Sequence, residues 1–194
     1  MIQLLKDYIN KIDDQLVKSA VIKMMECAPR YYWSTPASST GKYHPSYATG
    51  PDGLQKHTVA GMHFVIELSR TYRLNQLEID LCLAAMVLHD TTKYGVKDEM
   101  DYSYFNVHPY TVRSYYDNPK ERPTLKNCIE GLKQRELWNT IMKCVECHMG
   151  SIDNGEWNPM GLKPENKLET IVHLSDFLAS RKEISLNIFQ TDER

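Results

Sequence analysis

The chain has 194 residues, 42% of them hydrophobic, with 23 Lys and Arg against 25 Asp and Glu for a net charge of −2. That composition belongs to globular chains and excludes the disordered, collagen-like and membrane classes. The near-neutral balance supplies no global pull toward a nucleic-acid backbone or an anionic membrane, so neither duplex DNA nor a membrane is an expected partner.

Ile2, Leu5, Ile9, Ile12, Leu16, Ala20 and Met24 recur at steps of three and four, which predicts one long amphipathic helix over 2–27 that stops before Pro29. Its apolar stripe packs on the core or on a partner, and a homodimer through this helix is one expectation. The opening MIQLLKDYINKIDD turns acidic too early for a secretion signal. No run approaches the roughly 20 apolar residues of a membrane span, so the expected location is the cytoplasm. Residues 30–53 hold three Pro and three Gly among many Ser and Thr and are too broken for a regular element. This stretch also carries Tyr31, Tyr32, Trp33, Tyr43 and Tyr47. Two readings stand: a binding loop or lid, or rings that pack on the surface.

From Leu54 onward the apolar steps are helical, over 54–72, 78–90, 105–116, 124–131, 135–148 and 165–187, and no stretch alternates like a strand. The expectation is a single all-α domain over 1–194: an N-terminal helix (1–29), one long aromatic loop (30–53) and a helical core (54–187). Cys27, Cys82, Cys128, Cys144 and Cys147 have no framework-like spacing and read as reduced, inert thiols.

Histidine and aspartate placement carries the chemistry. His57 opens one predicted helix, the doublet His89 and Asp90 closes another, and His108, His148 and Asp176 lie on three more. Taken singly, each is ordinarily a cap, a dipole partner or an exposed polar group. Together, side chains from five rigid helices can converge on a metal ion. The doublet follows the apolar run LCLAAMVL, where adjacent polar residues need partners if buried.

In order and context these residues resemble the HD-domain metal-dependent phosphohydrolases over about residues 50–183. GPDGLQKHT with His57 is similar to the family's first histidine block, MVLHDTTKYG to its His-Asp core with a following lysine and glycine, and VHLSDFLASRK with Asp176 to its closing helix. FNVHPYTV with His108 and VECHMG with His148 resemble the additional histidines of binuclear members. Thr91 and Thr92 depart from the small or apolar pair usual after the doublet.

The resemblance implies an HD-type helical bundle in which His57, His89, Asp90 and Asp176 hold a first metal, while Asp90 bridges to a second held by His108 and His148. One or two divalent ions, iron, manganese, zinc or similar, are the implied cofactors. The implied activity is hydrolysis of a phosphoester in a nucleotide-type small molecule, with Asp90 and Lys93 as catalytic residues. Lys93, His44, Tyr43 and Arg181 are candidate substrate contacts; Arg181 falls off the Asp176 face by helical geometry. His63 lies on the face opposite His57, and His173, three residues before Asp176, borders the same side.

Two alternatives accompany this reading. One is a catalytically silent HD-fold sensor that binds a nucleotide or a protein. The other is a 3′-to-5′ exoribonuclease-like activity, suggested by the likeness of GPDGLQKHT to a block in such enzymes and helped by any local basic rim from Lys93, Arg113, Lys120, Arg122 and Arg181. Nothing in the chain reads as an accompanying OB-type module, which favours small nucleotides.

Overall fold

The computed structural model describes residues 1–38, 41–42, 44–118, 120–149 and 162–189. Among these are eight α-helices and no strand: α1 (Gln3–Ile9), α2 (Gln15–Glu26), α3 (Gly53–Thr71), α4 (Gln76–Leu88), α5 (His108–Tyr116), α6 (Lys126–Gln134), α7 (Leu137–Glu146) and α8 (Lys167–Ala179). Helix α4 lies at the centre, packed by α2, α3, α7 and α8, and α3 runs along α8. Its sequence explains the position: Asp80 to Leu88 are all buried, and a helix that is apolar nearly all round must be enclosed by others. A reciprocal capping box of Asn75 and Glu78 fixes where it starts. One apolar cluster extends from Leu5 to Val172.

The N-terminal stretch is two helices, not one. α1 ends at Ile9, and α2 begins behind Asp14, whose carboxylate accepts from the Leu16 and Val17 amides, each at 3.0 Å. The cause lies elsewhere in the chain. Asp80 of α4 is 1% exposed and receives the amides of Asp13 and Asp14 on its two oxygens, at 3.1 and 2.8 Å. A buried carboxylate needs such donors, and an unbroken helix would keep those amides for itself. Of the predicted stripe, Leu5, Ile9, Ile12, Ala20 and Met24 are buried in the protein's own core, and Ile2 and Leu16 pack partly buried against it.

Residues 30–53 contain two short 3-10 turns, Arg30–Trp33 and Ser46–Ala48. Tyr31 and Tyr32 are core residues and not part of a lid. The Tyr31 hydroxyl donates to the Gly95 carbonyl at 2.7 Å and accepts from the Tyr94 amide at 3.1 Å, and the Tyr32 hydroxyl donates to Thr58 Oγ1 at 3.0 Å. Burying a tyrosine ring is favourable when its hydroxyl finds a partner. The last helix ends at Ala179, earlier than the periodicity predicts, and at its end the Ser180 amide and Oγ both donate to the Asp176 carbonyl, each at 3.0 Å.

Candidate metal centre

Five helices deliver six side chains to one place. His57 opens the second turn of α3, His89 caps the C-terminal end of α4 with Asp90 next in line, and His108 is the first residue of α5. His148 follows the end of α7, and Asp176 occupies the last turn of α8. Asp176 is 18% exposed, and the other five side chains are exposed by 2% or less.

Asp90 sits in the middle and divides its two oxygens. Oδ2 lies 3.5 Å from His89 Nε2 and 3.8 Å from His57 Nε2. Asp176 Oδ1 joins that side, 2.9 Å from His57 Nε2 and 3.6 Å from His89 Nε2. Asp90 Oδ1 faces the other way, 2.9 Å from His108 Nε2 and 3.8 Å from His148 Nε2. Ligand atoms held about 2.0–2.2 Å from one ion stand roughly 3 Å apart, and the contacts on each side begin at that spacing. His57, His89 and Asp176 form one group able to hold a cation, and His89, Asp90 and His148 another.

The imidazoles are held by backbone. Nδ1 of His89 donates to the Met86 carbonyl at 2.7 Å, Nδ1 of His108 to Phe105 at 2.6 Å and Nδ1 of His148 to Val145 at 2.6 Å. The His89 and His148 rings thereby bond carbonyls in the last turns of α4 and α7. His173 of α8 donates from Nδ1 to the His148 carbonyl at 2.9 Å and fixes that residue from the other side. With Nδ1 bonded to a carbonyl, each ring aims Nε2 inward, where a cation can take it once that nitrogen carries no proton. His108 Nε2 and His148 Nε2 are only 3.1 Å apart. Two lone pairs at that distance repel unless a positive species lies between them. A single proton serves one such contact at a time, whereas a metal ion serves both nitrogens and Asp90 Oδ1 together, so the donor set fits a divalent cation.

Charge distribution agrees with that fit. Burial opposes ionisation of Asp90, but the Lys93 and His89 charges outweigh it and hold the carboxyl well below the usual range. Asp176 is held low against burial by its bonds to His57 and His89. Burial and the charges of His89 and His108 pull His148 down to about 3, which leaves a neutral ligand. Burial also works on His89, yet Asp90 and Asp176 overcome it and raise this residue to about 9. In the metal-free protein a proton there occupies the position suited to a cation.

Around the six, Lys93 Nζ lies 2.6 Å from Asp90 Oδ2 with 9% of its side chain exposed. His44 approaches the edge, its ring centroid 5.6 Å from that of His57, and burial with the neighbouring His57 and Lys93 charges pushes it down to about 4. Arg181, two residues past α8, lays its guanidinium over the Phe177 ring at 3.8 Å. Tyr43 lies outside the described residues. His63 is elsewhere, bonded through Nδ1 to the Tyr8 hydroxyl at 3.0 Å.

Of the basic rim, Arg113 is taken up by Glu146 at 2.5 Å and Arg122 lies over the Tyr115 ring at 3.4 Å. The two threonines after the doublet have structural partners: Thr91 Oγ1 donates to the Leu88 carbonyl at 2.8 Å, and Thr92 Oγ1 meets Thr111 Oγ1 of α5 at 2.6 Å. Thr92 thus ties the doublet's turn to the helix that begins with His108. Tyr31, read from the sequence only as one of the loop aromatics, secures the same turn through Tyr94 and Gly95; a contact 63 or 64 residues away leaves no local sequence signal. Compared with models of known protein families, with curated protein sequences and with solved structures, the chain matches none, and its functional reading rests on the geometry of this cluster.

Proposed function

We propose that the protein is a metal-dependent phosphohydrolase of HD type that cleaves a phosphoester in a nucleotide-type substrate. In this reading His57, His89, Asp90 and Asp176 hold one divalent cation, and Asp90, His108 and His148 hold a second, with iron, manganese or zinc suited to such imidazole and carboxylate donors. The observation that supports it is the 3.1 Å approach of two imidazole Nε2 atoms beside a carboxylate, with both Nδ1 atoms committed to backbone carbonyls.

Divalent cations in such a pair lower the pKa of a water toward neutrality and neutralise phosphoryl oxygens during displacement. The chain's own residues supply the rest. The three carbonyl-bound rings keep Nε2 aimed inward without reorientation, and Asp90 shares its oxygens between the two sides. Lys93 supplies an ammonium beside Asp90, a point charge suited to a phosphoryl oxygen. Burial of the cluster strengthens each of these charges by excluding water.

Metal content per chain and turnover of p-nitrophenyl phosphate test the reading together. The wild type is expected to carry about two metal ions, Asp90→Ala close to none and His108→Ala about one, with turnover lost in both variants. Metal retained without turnover of any phosphoester would point to a binding protein, and absence of both metal and turnover would overturn the reading.

A further inference from the structure

Resting on the hydrolase reading, burial and charge at the cluster narrow the substrate class. We infer that the site takes a terminal phosphoryl group, a phosphomonoester dianion, and turns away phosphodiesters. Of the seven polar side chains concerned, only Asp176 at 18% and Lys93 at 9% have more than 2% of their surface in solvent. A monoester can enter this border end-on, with its three non-ester oxygens inward and its single organic group left outside. A diester carries a second organic group, which among the described residues would meet α4 behind the doublet, buried from Asp80 through Leu88.

Charge points the same way. Lys93 cancels one of the two enclosed carboxylate charges, so divalent cations in both half-sites meet a single uncompensated negative charge from the protein. Buried charge must be offset locally, and the ligand has to bring the remainder. A monoester dianion brings twice the charge of a diester.

At the Lys93 edge of this border lies Phe105, 43% exposed, 6.2 Å from the His108 ring and with Lys93 Nζ over its face at 5.8 Å, and the organic group of an end-on monoester would emerge beside it. An exposed ring in that position favours an aromatic substituent on the ester.

The test uses the full chain loaded with Mn²⁺ and a matched pair of inert ligands at slightly alkaline pH: phenylphosphonate, a dianion with a terminal group, and methyl phenylphosphonate, its singly charged ester with the same ring. Calorimetric titration is expected to show phenylphosphonate binding at least about tenfold tighter. In Phe105→Ala its affinity should fall about three- to tenfold, toward that of methylphosphonate. Equal affinity for the matched pair, tighter binding of the ester, or no binding of either overturns the inference. Turnover separates it from the reading beneath it. Faster cleavage of bis-p-nitrophenyl phosphate than of p-nitrophenyl phosphate overturns the inference while the hydrolase stands. A tenfold preference for phenylphosphonate with neither ester cleaved supports a terminal-phosphoryl binding site while the hydrolase falls.

Discussion

The ammonium of Lys93 stands 2.6 Å from Asp90 Oδ2, with 9% of the side chain in solvent. Burial lowers a lysine's pKa, but here the Asp90 charge reverses the effect and raises it, so Lys93 is a fixed positive charge at neutral pH. It competes with any cation for the same carboxylate oxygen. Lys93→Met keeps most of the length of the side chain and removes the charge. Metal affinity, measured by competition with a chromophoric chelator, is expected to tighten several-fold, while kcat on a phosphomonoester falls by about 10²-fold or more, as on loss of one oriented donor. Weaker metal binding in the variant would mean that the lysine is needed to assemble the site and does not merely share it. The six cluster residues were legible as residues, because each sits at or near the end of a helical run and the doublet ends an apolar one. The division of Asp90 between two sides was not legible from composition or spacing. It depends on Nδ1–carbonyl bonds and ring orientations that only the packed helix ends define.

At the scale of elements, helices α3 to α8 were readable from periodicity, since each buries one face or, in α4, nearly all of it. The break between α1 and α2 was masked, because Asn10 to Asp14 contains neither Pro nor Gly and Ile12 keeps the apolar spacing, which leaves Asp14, an N-cap residue type, as its local cue. It is imposed by Asp80, 66 and 67 residues away. A comparable long-range constraint lies at Gly53, one turn before His57 at the start of α3. A Cβ there would stand 2.3 Å from the Ala48 carbonyl oxygen and 3.0 Å from Pro36 Cα. These are backbone atoms, so no side-chain rotation relieves the clash. Gly53→Ala must push the Ser46–Ala48 turn away from α3 and is expected to cost about 1–3 kcal/mol. Calorimetry should register a drop in Tm of roughly 2–12 °C for a chain of this size. An unchanged Tm would show that the turn yields without loss.

For the molecule as a whole, the cluster links distant parts of the chain, with His57 and Asp176 in contact across 119 residues. Its protons make stability depend on pH in opposing directions. His89, raised to about 9, stays protonated in the folded metal-free protein where an unfolded histidine loses its proton near 6.5. That contribution is full below 6.5, declines above it and is gone beyond about 9. His148 at about 3 and His44 at about 4 refuse protons that the unfolded chain accepts below 6.5, so stability also falls as acid is added. Asp90 and Asp176, held well below 3.8, add stability above that value which is lost as pH drops through their lowered ones. The metal-free protein should therefore be most stable near neutrality. A divalent cation on the His57 side must displace the His89 proton, and its advantage grows as that proton becomes easier to remove. The rise in Tm on adding Mn²⁺ to chelator-stripped protein is accordingly expected to increase from about pH 6.5 to about pH 8.5. Scanning calorimetry at three or four pH values would decide the matter. A rise of equal size throughout would mean that the cation binds without displacing the proton, and His89 would then be no ligand. Absence of any rise would remove the metal from both halves of the site and leave the cluster as a buried network of protons and carboxylates.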